Sequence, residues 1–236
     1  MTTDVGAVLD RMRGVHTGLP HDDGVAVFNR VYIAVTEEVR RRLAAGGFAD
    51  REAAAELAVR FAGRYLAAVR DDAAGRRPPA CWRPLLRLRA HTGIRPLQFA
   101  MAGINAHVGH DLPLAVVDTC RATGRGLQDL EGDFDRVGEA LTAIEVEVRE
   151  LLMPGPDLLE AADPLTHLVG SWSLARARDA AWSAARLLWA LRGTEDAYGE
   201  CVSRLDAGVG LIGRLLLTPV GGGCQSSGST TGAISS

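Results

Sequence analysis

Apolar residues recur along most of this chain at intervals of three and four, the spacing that turns one face of an α-helix toward a core. Val27, Val31, Ala34, Val35 and Val39 form such a stripe between Asp23 and about Ala45, and Gly46-Gly47 ends it. Before it, Thr3 or Asp4 is placed to cap a helix running to about Gly14, and a loop from His16 to Gly24 follows. Leu57, Phe61, Tyr65, Leu66 and Val69 stripe a third helix over 50–74, with Asp50 as its cap. A short helix is expected over Trp82–Ala90. Arg95-Pro96 opens a central one to His110, and Pro113 either kinks it or starts another to about Thr123. Phe134, Val137, Leu141, Ile144, Val148 and Leu151 predict a helix from Leu130 to Leu152. Asp163-Pro164 starts a long one to Leu191, and the last runs from Glu195 to about Leu217, where Gly208, Gly210 and Gly213 permit a neighbour to come close. No stretch alternates convincingly with period two. The expectation is an all-α, single-domain bundle of seven to nine helices over residues 1–220. The Gly-, Ser- and Thr-rich stretch 221–236 reads as a disordered tail.

Polar residues inside these apolar patterns mark the candidate chemistry. The block from Gln98 to Pro113 begins as a helix of small apolar residues and then carries Asn105, His107, His110 and Asp111 within its last turn and a half. At 3.6 residues per turn His107, His110 and Asp111 stand at i, i+3 and i+4, on one face. Asn29, Tyr32 and Thr36 likewise share the apolar face of the second helix, so they should face the interior, within reach of the helix carrying Asn105.

Composition narrows the chemistry. All 26 basic residues are arginine, which removes lysine Schiff bases and the phosphate-loop lysine: no PLP and no P-loop nucleotide are expected. A net charge of −3 over 236 residues gives no reason to expect nucleic acid as a partner. The four cysteines form no Cys-x-x-Cys pair, so reduced thiols and no thiolate-built structural zinc are the expectation. No run approaches the length of a membrane span and the first residues lack a leader pattern, so a cytoplasmic protein without membrane contact is expected.

Three stretches together resemble a family of uncharacterised all-helical proteins of high-GC bacteria. They are Phe28-Asn-Arg-Val-Tyr-Ile-Ala-Val-Thr36, the Gln98–Pro113 block with its Asn-Ala-His and Asp-Leu-Pro, and Trp172 through Ala-Arg176 to Ala-Trp182 and Leu-Trp189. The resemblance spans roughly residues 20–195. It implies an all-helical domain of unknown function, with His107 and Asp111 as its firmest members, and brings no activity with it.

Two kinds of function stay open. In the first, the chain is an enzyme acting on a small, largely apolar molecule held between helices. His107 is then the acid/base group or a metal ligand, Asp111 orients it, and Asn105 bonds the substrate. Asn29, Tyr32, Gln98, Trp172, Arg176 and Trp182 line the site. One divalent metal (zinc, iron or manganese) is an option, held by His107, His110 and His167, for hydrolysis or oxidation; without it, cyclisation or elimination by acid/base catalysis fits. In the second, the protein binds a ligand or partner without catalysis, and the His/Asn/Asp cluster is a structural keystone. Asp111 then caps the helix at Pro113, and Arg176 and Arg178 pair with Asp133 or Asp135. Substrate, metal and oligomeric state are not written in the pattern.

Overall fold

In the computed structural model, residues 4–143 and 173–219 are described. Helix occupies 79% of them, and no strand occurs among them. The helices start where short polar side chains cap backbone N–H groups. Asp4 accepts from Gly6 N at 2.7 Å to begin α1 (Val5–Thr17). Asp23 accepts from Val25 N at 2.8 Å to begin α2 (Gly24–Ala44), and Asp50 from Ala53 N at 3.0 Å to begin α3 (Arg51–Ala73). The short α4 (Arg83–Leu88) places Pro84 in its first turn, where a missing N–H costs nothing. α5 (Pro96–Ala106) passes through a π turn, His107–Asp111, into α6 (Leu112–Thr123), which ends at Gly124 with φ 68°. α7 (Leu127–Ala143), α8 (Leu174–Leu191) and α9 (Glu195–Leu216) complete nine α-helices among the described residues. The domain is an all-α bundle, as the periodicity predicts.

One boundary differs from the sequence expectation, and another is reached through an unexpected turn. α8 begins at Leu174, not at Asp163, because Ser173 is extended and its hydroxyl accepts from Arg176 N at 3.3 Å, a complete N-cap. Pro113 stands in the first turn of α6, as its reading as a helix start expects, yet no non-helical residue separates α6 from α5. The wide turn before it absorbs the defect: the Leu112 N–H reaches back to the His107 carbonyl, and the ladder opens where the proline removes a donor and would crowd the carbonyl of Gly109. The remainder of the helix expected up to Leu152, the tail, His167 and Trp172 lie outside the described residues.

The α5–π–α6 rod is the axis of the molecule. Nearly all of α5 is buried, including Leu97, Phe99, Ala100, Met101 and Ala102, and it packs against α2 and α9. α6 packs against α3 and α8. A helix apolar all round belongs in the interior. Close approach to it is bought with glycine: a Cβ on Gly103 would stand 2.3 Å from the Phe28 ring of α2. The main core gathers Met12, Phe28, Tyr65, Trp82, Leu85 and Ala100 on one side of the rod. A second cluster of Leu57, Ala115, Val116, Phe134 and Ala185 lies on the other. The π turn sits between them.

Candidate functional site

The π turn brings His107, His110 and Asp111 together in the interior, each less than 5% exposed. The Asp111 carboxylate is the hub. Its Oδ2 accepts from the Trp82 indole N–H at 2.9 Å and lies 3.0 Å from His107 Nδ1. Its Oδ1 lies 2.9 Å from His110 Nδ1. A carboxylate only accepts, so both histidines carry a proton on Nδ1 in these bonds, and in a neutral ring that leaves Nε2 with its lone pair. Burial pushes the Asp111 pKa up, but the hydrogen bonds from His107 and His110 and their charges outweigh it and hold the carboxyl below its ordinary range. It is therefore an anion at neutral pH. It does not cap α6, where no side-chain cap bond forms.

His107 is enclosed by aromatic rings. Phe61 of α3 stacks on it at 3.6 Å between centroids and 4° between planes, and Tyr32 of α2 meets it edge-on at 4.3 Å. Phe28, Trp82 and Tyr65 complete the enclosure with centroids 5.8–6.2 Å away. Burial pulls the imidazole pKa down, and the Asp111 hydrogen bond only partly opposes it, so His107 is neutral near pH 7. Its Nε2 is buried and has no hydrogen-bond partner; the nearby Tyr65 hydroxyl is in the same condition. Burial holds that phenol protonated far above its ordinary range, and it does the same to Tyr32, whose hydroxyl also feels the Asp111 charge.

His110 points the other way. Its Nε2 faces Asp206 Oδ1 of α9 at 3.8 Å, and the Cys81 thiol, just before α4, closes a three-residue group whose ligand atoms lie within 4.8 Å of one another. Asp206 also fixes the backbone there, accepting from Ala80 N at 2.8 Å and Cys81 N at 2.9 Å. α9 comes this close because of Gly210, whose Cβ would lie 2.6 Å from the Ala80 carbonyl oxygen. Of the three glycines expected to admit a neighbour, Gly210 does so most tightly, while a Cβ at Gly208 would meet nothing.

Several expected site residues do other work. The Asn105 amide donates to Val209 O of α9 at 3.0 Å, and Asn29 to Met12 O of α1 at 2.8 Å. Gln98 ties the end of α9, donating to Leu216 O at 2.9 Å and Thr218 O at 2.7 Å. These amides join helices, and only Tyr32 of the expected α2 trio touches His107; Thr36 donates to the Tyr32 carbonyl within α2. Asn29, Tyr32 and Thr36 are all buried, as their shared face predicts. Trp182 packs on Phe134 and reaches Glu131 on the α7 side, and Arg176 is exposed on α8. Asp133 accepts from Ala49 N and Asp50 N and from Arg136, while Arg178 covers the Phe134 ring and donates to its carbonyl. Asp133 is thus held by two backbone N–H groups and Arg136 rather than by Arg176 or Arg178, while the charge of Asp135, the other expected partner, acts on the Arg178 guanidinium.

The sequence alone did not single out Cys81, Trp82, Phe61, Tyr65 or Asp206 for the site. A signal existed for Asp206: it shares a face with Gly210 and Gly213, the packed side of α9, and an acidic group there needs partners. Phe61 and Tyr65 read as ordinary core stripe, and nothing local connects Cys81-Trp82 to a helix that starts fourteen residues later.

A family model described as a family of unknown function (DUF5995) matches residues 5–219, nearly the whole chain. No curated protein and no solved structure matches it.

Proposed function

The chain belongs to this family of unknown function, and from that premise we propose that it is an enzyme acting on a small, largely apolar molecule by proton transfer at His107. The observation that carries the proposal is the Nε2 of His107: buried, without a partner, and left with its lone pair because Asp111 holds Nδ1–H. An unpaired polar atom in the interior costs about 1–3 kcal/mol, and such costs persist where function uses them. The dyad geometry is that of a general base: the carboxylate fixes the tautomer and stabilises the imidazolium once a proton has been taken. A pKa lowered by burial keeps the base unprotonated at neutral pH. The aromatic enclosure favours an apolar reactant, and the Tyr65 hydroxyl is a donor for one oxygen on it. The π turn that aims these groups is a form of helix defect frequent at functional sites.

These features suit acid/base cyclisation or elimination. The rival reading, a structural keystone without catalysis, is favoured by one observation: Asp111 is saturated by three donors from two segments of the chain, which by itself locks α4 to the rod. A turnover comparison separates them. Wild-type protein and His107→Gln are incubated with an organic-solvent extract of the cells that express the protein, and the mixtures are compared by mass spectrometry. Consumption of a compound by the wild type alone supports the dyad as catalyst. Identical profiles from two folded proteins leave the keystone.

A further inference from the structure

We propose that Cys81, His110 and Asp206 form a mononuclear divalent-metal site, with zinc as the ion that fits, beside the dyad and joined to it through the Asp111 carboxylate. The three come from separate parts of the fold: the turn before α4, the π turn and α9. Their ligand atoms already lie within 4.8 Å of one another. Zinc bonds of about 2.0–2.3 Å put tetrahedral neighbours roughly 3.3–3.8 Å apart. The His110–Asp206 separation of 3.8 Å already fits that range, and a side-chain rotation of about 1 Å brings in the widest pair.

Orientation strengthens the case beyond proximity. His110 Nδ1 is engaged by Asp111 Oδ1 at 2.9 Å, which turns Nε2, the nitrogen free to take a metal, toward Asp206. A carboxylate on the far nitrogen of a histidine is the arrangement that orients metal-bound imidazoles and raises their basicity. Nε2, the thiol sulfur and a carboxylate oxygen thus lie around one position, where the Cys81 thiol proton is shared with Asp206. A divalent cation takes the place of that thiol proton and binds the sulfur as thiolate. The carboxylate is itself pinned by the N–H groups of Ala80 and Cys81, so two of the three ligands are preorganised by the same backbone.

The donor set chooses the ion. One sulfur, one nitrogen and one oxygen suit borderline zinc, and exclude the all-oxygen preference of calcium and magnesium. Three protein ligands leave a fourth position for water, as in catalytic zinc sites. Cys81 and His110 are buried, whereas Asp206 is only partly so and forms the edge through which an ion enters. This ligand set shares only His110 with the one the sequence suggests.

The test uses full-length protein, stripped with a chelator and titrated with cobalt(II) as a zinc reporter, then with zinc in competition. One cobalt per chain is expected, with a thiolate-to-cobalt charge-transfer band in the near ultraviolet that zinc abolishes. Cys81→Ser removes the band, and His110→Gln and Asp206→Asn weaken binding by about tenfold or more. Far-ultraviolet circular dichroism checks folding; should the Cys81 variant unfold, Asp206→Asn, at the partly exposed edge, decides. A wild type that takes up no stoichiometric cobalt overturns the site. So does a band that survives Cys81→Ser, which assigns it to another cysteine, or an affinity unmoved by Asp206→Asn, which leaves His110 and Asp206 as a pair sharing a proton. Each of these three results bears on the metal alone, and the His107 turnover comparison is read separately.

Discussion

Asp111 is the residue on which most of the interior polar chemistry depends. Removing its carboxylate strands the Trp82 indole N–H and both Nδ1 protons in the core. Asp111→Ala should therefore destabilise the protein by about 3–5 kcal/mol in denaturant unfolding, since breaking a buried charge-paired network costs that much. Trp82→Phe keeps an aromatic ring but deletes the indole N–H and some buried volume, and should cost about 1.5–3 kcal/mol. His107 carries a pH signature of opposite origin to an ordinary salt bridge. Its pKa is lowered in the fold, chiefly by burial, relative to about 6.5 in an unfolded chain, so the unfolded state takes the proton first. The stability it contributes is complete above about pH 6.5 and is lost as pH falls from there through the folded value. Unfolding free energy measured between pH 7.5 and about 5 should decline in the wild type and run flatter in His107→Gln. An equal slope in both assigns the acid sensitivity to other groups. That His107 and Asp111 belong together was legible in the chain from their i, i+4 spacing. That Trp82 completes them was not, because no local pattern links an indole to a carboxylate twenty-nine positions on.

At the scale of elements, the periodic stripes located nearly every described helix, and the caps Asp4, Asp23 and Asp50 stand where the sequence puts them. What the pattern missed is the π turn. Pro113 announces a defect, but whether a helix stops, kinks or widens depends on what packs beyond it, here α3 and α8 on α6 and α9 on the turn itself. The contact between α9 and the Ala80–Cys81 turn is the most sensitive to volume. Gly210→Ala puts a Cβ against backbone, which cannot rotate away, and should cost about 1–3 kcal/mol as overpacking does. It should also loosen the Asp206 bonds to Ala80 and Cys81, visible as faster amide exchange at those two residues. Gly208→Ala meets nothing and should leave both melting temperature and exchange unchanged or slightly improved.

For the molecule as a whole, the fold class was readable because an all-α chain writes its core into a period that survives any arrangement of the helices. The arrangement itself was not readable. Asn105 and Gln98 looked like substrate ligands because polar groups on a buried helix demand partners; the partners are the carbonyls of α9, which the sequence places about a hundred residues away. The last helix is thus laced to the central rod by side-chain amides. Gln98→Ala removes bonds to both Leu216 and Thr218 carbonyls and should destabilise by about 1–3 kcal/mol, with the end of α9 losing amide-exchange protection first. Among the described residues no helix is long and apolar enough to cross a membrane.

Asp111 holds His107 with its proton on Nδ1, so that a bare Nε2 faces the aromatic interior. Nitrogen-15 NMR of protein labelled at histidine reads this directly, with His107→Gln identifying the resonance. At pH 7 the His107 ring should be neutral, with the shift and couplings of an Nδ1–H tautomer, and should titrate only below the ordinary histidine range. A neutral ring protonated on Nε2, or an imidazolium already present at pH 7, would contradict it.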